Sequence, residues 1–578
     1  MLLSIGMMVK NEEKHLEECL ESLEPIREEL DSELIIVDTG SDDNTVEIAE
    51  KFTDKVYFHE WNDHFSEMRN KVINHSKGKW FFTLDGDEII SNPETIIEFF
   101  QSGEYNNYNT ALVTQKNYTS IEENRFSKLL QPRLFKNDDN LCYKGAIHNQ
   151  PQYKKPIIEL NTVLNHYGYL ASDEDLMEKK FQRTSKLLKK ELKKDPNNVY
   201  YWFQLSKSYT MHDDYKKALE TIEKAYEIAQ KNGLDLSKRM YIYIQLSKIY
   251  LLNNKYKKSE KNALKALNVK DGYVDLYYYL ARAQIMQGKK EKSLNNFKEY
   301  LKLINNYEKT NSKKDTSVDD ETAGNYNIVY RFFVLLAAEL EKDYEKAIEL
   351  AFKIEVKKEL NKILEPFIVI CLNDENYKAL KKFYDEKLID LENLKNKYLQ
   401  IIEQKRNKLN KKEKKELTAI FEKDFSDKNY LILNKIRKLI LTNNNKTMKL
   451  DALNEINFNQ VPDYYGDIIY YILKNNEEYD AYKFFTSIKE KNMNRFINYL
   501  KNKYEDLNEI IYNFIDSKDN IEDISKLRVN KSFGRYILAF NDNNEKYKVI
   551  FQKYLSFGTR YMSQLYKKNI LEKEIVNE

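Results

Sequence analysis

The chain has 578 residues, with 94 Lys and Arg against 92 Asp and Glu; the formal net charge of +2 gives no overall field to draw it to nucleic acid or to an anionic membrane. That length exceeds what one core supports and implies two to four domains. Three widely separated cysteines, Cys19, Cys142 and Cys371, argue against a disulfide framework or a zinc site and fit a reducing, cytoplasmic compartment.

Met1 to Val9 is a short apolar run followed by Lys10-Asn11-Glu12-Glu13, with neither a basic start nor a small-residue cleavage site, and it reads as a first strand. Val329 to Leu340, the most apolar later stretch, contains Arg331 and falls short of the roughly 20 residues a bilayer requires, so no membrane insertion is expected. From Leu2 to Asp85 strand and helix alternate: a strand at Leu3–Val9, a helix at Glu12–Leu23, a strand at Glu33–Asp38, a helix at Asp43–Phe52, a strand at Lys55–Trp61, a helix around Phe65–His75 and a strand ending at Asp85. Such alternation predicts a mostly parallel sheet with helices on both faces, whose ligands bind beyond the carboxyl ends of the strands.

The polar residues fall at those ends. Asp85-Gly86-Asp87-Glu88 closes the last strand of this set, and strand alternation predicts that Asp85 and Asp87 share one side while Gly86 lets the backbone turn and a ligand approach. Two hard oxygen donors so placed suit Mg²⁺ or Mn²⁺ with positions left for phosphate oxygens. Asp38 is a candidate acceptor for a base imide, Gly40 and Ser41 form a tight turn, and Arg69 is a candidate partner for a phosphate or ribose. No Gly-x-Gly-x-x-Gly follows the first strand and no Lys-Ser/Thr phosphate loop occurs, which argues against a dinucleotide oxidoreductase and a nucleoside triphosphatase.

Met7-Met8-Val9-Lys10-Asn11-Glu12-Glu13, Ile36-Val37-Asp38-Thr39-Gly40-Ser41, Met68-Arg69-Asn70 and Leu84-Asp85-Gly86-Asp87-Glu88, in that order, resemble glycosyltransferase family 2 with its GT-A, Rossmann-like fold. The resemblance implies a nucleotide-sugar donor, usually a UDP-sugar, with Asp85 near ribose and metal, Asp87 on the metal, Asp38 at the uracil, and Asn11 and Glu12 in the first nucleotide loop. Gln131 to Asn137, Tyr143 to Asn149 and Asn165-His166-Tyr167-Gly168-Tyr169 resemble the subgroup joined to tetratricopeptide repeats, which includes protein and peptide glycosyltransferases. Similar chains often carry His-Glu where this one has His148-Asn149, so the carboxylate that would be a natural base is missing.

Inverting transfer needs a group to take the acceptor's proton, and His148 is the candidate. His166 is the candidate third protein ligand of the metal, although either histidine suits that role. Arg133 is placed at the diphosphate, with a salt bridge as the alternative. Trp61 and Trp80 are expected in the core rather than as sugar platforms.

From about Asp173 helix follows helix, with a break at Asp195-Pro196-Asn197-Asn198. Trp202, Leu205, Ser206, Tyr209, Ala218, Ile222 and Ala225 recur as Tyr243, Leu246, Ser247, Tyr250, Ser259, Ala263 and Ala266, and these as Tyr277, Leu280, Ala281, Gln284, Ser293, Phe297 and Tyr300. The second spacing is the tetratricopeptide period; the longer first one requires an inserted loop around Lys231 to Ser237. Ser206, Ser247 and Ala281 are expected to let paired helices approach. Asn305 to Gly324 reads as a polar linker, Val329–Ile354 and Lys362–Leu388 as further helix pairs, Lys405 to Glu416 as a solvated helix face, and Asn443-Asn444-Asn445 as a turn.

The expected architecture is therefore an α/β domain over residues 1–175, tetratricopeptide-like repeats over 176–304 and an all-α region over 325–578. The expected activity is metal-dependent transfer of a sugar, N-acetylglucosamine by preference, to a protein acceptor such as a Ser or Thr of flagellin or another surface protein, with the repeats presenting the acceptor, forming a homodimer or bracing the catalytic domain. The alternatives are S-linked transfer to a Cys of a secreted peptide, transfer to a cell-surface polysaccharide, and a repeat scaffold carrying a relic transferase domain.

Overall fold

The computed structural model describes residues 1–168, 174–442, 453, 455–475, 481–516, 524–538 and 545–575, which fall into two compact units, Met1–Ile363 and Leu364–Glu578. Tyr169 and the turn expected at Asn443-Asn444-Asn445 lie outside the described residues.

The first unit opens with β1 (Leu3–Val9), α1 (Leu16–Glu21), α2 (Glu24–Glu29), β2 (Ser32–Asp38), α3 (Thr45–Phe52), β3 (Val56–Phe58), α4 (Phe65–His75), β4 (Trp80–Thr83), β5 (Glu88–Ile90) and α5 (Glu94–Gln101). Five strands follow: β6 (Thr110–Ser120), β7 (Arg125–Lys136), β8 (Cys142–Lys144), β9 (Gln150–Gln152) and β10 (Ile157–His166). The helix expected over Glu12–Leu23 is the shorter α1, and α2 follows it as a separate helix in which Pro25, lacking an N–H, occupies the first turn.

Eight strands form one sheet in the order β3-β2-β1-β4-β7-β6-β10-β5. The β3-β2-β1-β4 half is parallel, and β6 and β10 are also parallel, whereas β7 pairs antiparallel with β4 and β6, and β5 antiparallel with β10. Alternation divides the central strands between two cores. Leu34, Ile36, Trp80 and Phe82 face one side with α1, α2 and α5, while Ile35, Val37 and Phe81 face the other with Val72 and Ile73 of α4. Burial on both faces is why β2 reads as an unbroken apolar run. Trp80 is core as expected; Trp61 is half-buried in the loop before α4, bonded to Asp63 and packed edge-on against Phe65.

After α6 (Glu174–Lys194), helices pair as α7 (Val199–Met211) with α8 (Tyr215–Lys231), α9 (Met240–Leu252) with α10 (Tyr256–Val269), and α11 (Val274–Ile285) with α12 (Lys290–Asn305). Asn198 caps α7 by accepting the Tyr201 N–H, which accounts for the Asp195–Asn198 break. Within each pair one hydroxyl bridges the helices at an equivalent place: Ser206 Oγ donates to the Ala218 carbonyl at 2.7 Å, Ser259 Oγ to Ser247 at 2.7 Å, and Ser293 Oγ to Ala281 at 2.8 Å. All six residues are fully buried, so the small positions do bring the helix backbones together.

The stretch expected as a polar linker is instead packed. It contains α13 (Asn311–Lys314) and precedes α14 (Tyr326–Leu340) and α15 (Tyr344–Phe352), and Ser312, Lys313, Asp320 and Thr322 within it are buried. Its polarity misleads because its polar groups bond to one another: Ser312 Oγ and Tyr307 OH donate to the two oxygens of Asp320 at 2.6 and 2.7 Å.

The second unit is helical throughout its described residues and includes α17 (Tyr377–Lys387), α18 (Glu392–Arg406), α19 (Lys411–Phe421) and α20 (Lys428–Thr442). The Lys-rich run breaks between α18 and α19, where Asn410 and Glu413 form a capping box. At its centre Arg437 donates to both oxygens of Glu403 at 2.8 and 2.7 Å and through Nε to Asp467 at 2.7 Å, and Lys503 also reaches Asp467. Removing the guanidinium strands buried carboxylates. Arg437→Met should cost about 3–5 kcal/mol of stability in denaturant unfolding of the full chain, and adding Glu403→Gln should restore part of the loss; an unchanged unfolding midpoint would refute this account of the core.

Candidate active site

The carboxyl ends of β1, β2 and β4 converge as expected. The loop after β1 is locked to the loop after β2: Asn11, at φ 56°, exchanges side-chain and backbone hydrogen bonds with Asp42 at 2.5 and 3.0 Å, its N–H donates to Ser41 Oγ, and the Glu12 N–H donates to Thr45 Oγ1. Asp38 is buried and caps its own turn, one oxygen accepting from the Gly40 and Ser41 N–H groups at 2.8 and 3.0 Å and the other from Ser41 Oγ at 2.5 Å. Asp38 and Ser41, expected to meet a nucleotide, are thus first of all the frame of the loop that would hold one.

Asp85 and Asp87 are not presented by strand alternation. β4 stops at Thr83, and residues 85–88 form a turn in which the Glu88 N–H donates to the Asp85 carbonyl at 3.1 Å. Gly86 is closely packed: a Cβ there would lie 3.2 Å from Val9 Cγ1 and 3.4 Å from Glu12 Cγ. The turn sends its carboxylates in different directions. Asp85 accepts from Arg69 at 2.6 Å, and Arg69, on α4, also donates to Thr83 Oγ1 and lies over the Tyr143 ring. Burial would raise the Asp85 carboxyl, but Arg69 and Arg133 outweigh it and hold it below the usual carboxylate range. Arg69 is therefore committed to the turn.

Arg133, expected at the diphosphate, is buried and engaged elsewhere, donating to Glu88 at 2.5 Å and to Gln115 at 3.3 Å. The second oxygen of Glu88 accepts the Asp85 N–H at 2.9 Å, so the Arg133–Glu88 pair pins the turn from beneath. It is a positioning pair, and the antiparallel course of β7 past β4 is what delivers Arg133 there.

His166 stands where expected, beside Asp87. The pairing of β10 with β5 sets His166 opposite Glu88, and its pairing with β6 sets it beside Asn117. His166 Nδ1 donates to Asn117 Oδ1 at 2.7 Å, and Nε2 faces Asp87 Oδ2 at 3.2 Å. Burial disfavours the imidazolium, but Asp87 outweighs it and raises the His166 pKa; reciprocally, burial opposes the Asp87 charge while His166 and Lys180 depress its pKa. Lys180, from α6, completes the group: its Nζ donates to the Gly168 carbonyl at 2.8 Å and lies 4.0 Å from Asp87 Oδ2. Glu12 shares this environment. Burial first, then Asp87 and Asp85, push its carboxyl up to about 8. A wall of stacked rings, Tyr118 on Tyr167 at 5.3 Å and His15 near Tyr167, borders the same turn, and the Tyr167 N–H donates to the Asp87 carbonyl.

His148 is not gathered with the acids. It lies in the loop 145–149, at φ 48°, which is fixed by α4: the Phe65 N–H donates to the Ala146 carbonyl and Ser66 Oγ to Gly145 at 2.5 Å. Burial and then Lys207 of α7 push its imidazole down to about 4. Its Nε2 and the Asn149 Nδ2 are buried without a hydrogen-bond partner. The sequence did not single out Lys180, Gln115 or Asn117. They reach the site through strand pairing and a helix some ninety residues beyond the turn, which no local spacing reports.

Among the described residues no three His, Cys, Asp or Glu side chains converge as a metal-ligand set, and no helix is long and apolar enough to cross a membrane. Residues 4–155 match the family described as Glycosyl transferase family 2. The chain is similar to the SPbeta prophage-derived glycosyltransferase SunS of Bacillus subtilis (strain 168), 23% identical over 237 residues, covering 39% of this chain and 53% of that protein. It is also similar to a TPR repeat-containing protein of Synechococcus elongatus, 28% identical over 229 residues, covering 37% of this chain and 54% of the other. Among solved structures, S. aureus TarS is 16% identical with a TM-score of 0.23, covering 47% of this chain and 55% of that one. The chain spans about half the length of the curated relatives it matches. Motifs, sheet order and family match agree: residues 4–155 form a glycosyl transferase family 2 domain, carried ahead of helix pairs of the tetratricopeptide kind.

Proposed function

We propose that the chain is an inverting, divalent-cation-assisted glycosyltransferase that moves a sugar from a UDP-sugar to a polypeptide, with UDP-N-acetylglucosamine as the first donor to test and a Ser or Thr hydroxyl of a surface protein such as flagellin as the acceptor. The single observation that carries this reading is the turn Asp85–Glu88, which gathers acids at the open end of a parallel sheet beneath two loops fixed to each other. With Nδ1–H committed to Asn117, neutral His166 turns a lone pair toward Asp87 Oδ2, so this contact calls for a proton or a cation between the two atoms. Asp87 and His166 would supply the protein's ligands to Mn²⁺ or Mg²⁺, while Asp85, held by Arg69, would add its charge nearby; the cation would neutralise the charge of the departing diphosphate.

The chain's own groups do the rest. The Asn11–Asp42 and Asp38–Ser41 locks fix the two loops that would flank the nucleotide, and Arg69 and Arg133 hold the turn rigid so that no charge need reorganise during transfer. The acceptor oxygen attacks the anomeric carbon as the bond from that carbon to the diphosphate oxygen breaks, and the acceptor proton passes to a base. His148 is the group we assign to that step: its buried Nε2 is unpartnered, and its imidazole is neutral above about pH 4. The three free cysteines accord with work in a reducing cytoplasm. A polypeptide acceptor accords with the position of the loop 145–150 against α7, where Gln150 bonds Tyr200 OH.

In a UDP-sugar hydrolysis assay with Mn²⁺, Asp87→Ala should lose at least about a hundredfold in rate; undiminished hydrolysis would remove Asp87 from the cation. His148→Ala should retain UDP-sugar hydrolysis and lose transfer to the acceptor. Because a base must be unprotonated to act, the acid limb of the transfer rate assigned to His148 should lie near pH 4 rather than near the ordinary histidine value; a limb near 6.5 that disappears in His148→Ala would show an imidazole unlike the buried one described. Intact mass of candidate surface proteins, in cells with and without this chain, identifies the acceptor, and a shift confined to a Cys-containing peptide would assign S-linked transfer instead.

A further inference from the structure

The first helices of the three pairs present a periodic cationic position, Lys207 on α7, Lys248 on α9 and Arg282 on α11, separated by the same 41- and 34-residue spacings that define the repeats. Two of the three are engaged by the packed segment that sequence suggests is a linker. Lys207 Nζ lies 3.0 Å from Asp319 and 3.4 Å from Glu321, and Lys248 also pairs with Glu321. The third repeat supplies the buried carboxylate of Asp275, which accepts the Glu321 N–H at 3.0 Å, the Thr322 N–H at 2.9 Å and Thr322 Oγ1 at 2.7 Å. Tyr273, just before α11, donates to Asp315 at 2.7 Å. Three successive repeats thus each grip one short acidic stretch, which folds through turns closed by the Val318 N–H on the Asp315 carbonyl and the Ala323 N–H on the Asp320 carbonyl.

The other side of the same stretch is fastened to the sheet. β4 pairs with β7 only from Leu134 to Lys136, which leaves the earlier part of β7 as a free edge. Asp320 takes that edge, its N–H donating to the Lys128 carbonyl at 2.8 Å and its carbonyl accepting the Lys128 N–H at 3.2 Å; the Gly324 N–H then donates to Phe126 at 3.1 Å. Gly324 lies so close that a Cβ there would stand 2.6 Å from the Phe126 nitrogen, a backbone contact that only glycine permits.

We infer that the face formed by the first helices of the repeats is a site for an acidic peptide whose resident ligand is the chain's own Asp315–Gly324, and that it serves to fasten the repeats to the transferase sheet rather than to receive the acceptor. The inference rests on these contacts and not on the proposed reaction. The test uses the full-length chain with residues 315–322 replaced by a Gly/Ser linker of equal length, and a labelled synthetic peptide of residues 311–324 as probe. The peptide should bind the replaced chain, should bind the unaltered chain at least about tenfold more weakly, and should lose at least about tenfold in affinity when K207M and K248M are added. Equal binding to the unaltered chain would show an open face, and failure to bind a replaced chain of unchanged helix content would show that the face is no peptide site; either overturns the inference. Should the replaced chain not fold, hydrogen exchange in the full chain carrying only K207M and K248M decides: the amides of Asp320, Gly324 and Lys128 should exchange at least about tenfold faster than in the unaltered chain, and unchanged rates overturn the inference.

Discussion

The structure depends on balancing the charge of one turn. Residues 85–88 carry three carboxylates into the end of the sheet, and burial alone would drive each of them to neutrality. Each is met by a cation from a different part of the chain: Arg69 of α4 on Asp85, Arg133 of β7 on Glu88, and His166 of β10 with Lys180 of α6 on Asp87. A helix inserted between strands, the last strand of the sheet and the first helix after it keep Asp85 and Asp87 charged, while at Glu88 the return of β7 offsets only part of the cost and burial still holds the carboxyl above its usual range. The topology of the domain and the electrostatics of its site are one problem with one solution.

That dependence separates two kinds of residue within the site. Arg69, Arg133, Glu88 and Asp38 bond chiefly to the turn and the loops themselves and so shape the site. Asp87, His166 and Glu12 instead share one cluster of charge. Glu12 is pressed against two like charges, and the contact of His166 with Asp87 depends on a proton between Nε2 and the carboxylate. A positive charge from outside would relieve both tensions, and chemistry is expected where the protein leaves its own charges unsettled.

Much of this was legible in the sequence because it is local. The βαβ alternation, the end of a strand at Asp38, and the small residues recurring at repeat spacing each arise from periodicities of a few residues. The location of His166 beside Asp87 was also anticipated, through a motif. What could not be read was set by long-range pairing: that Arg133 points at Glu88, that Lys180 reaches back from α6, and that His148 sits apart from the acids beside α7. The stretch from Asn305 to Gly324 shows the same limit from another side. Its composition is that of a solvated connection, and only the mutual satisfaction of Asp320, Ser312 and Tyr307, and of Thr322 with Asp275, makes it interior.

The contact of Lys180 with Gly168 and Asp87 has a consequence for how such a protein can be divided. The sheet domain is not portable in the usual sense. A fragment ending with the last strand would keep the motifs as far as His166 yet forfeit one ammonium group, leaving its acid centre more negative. Recombination that exchanged the helical portion for an unrelated one would inherit the same deficit, so the seam along which this architecture can be cut lies beyond the first turns of α6, not at the end of the sheet.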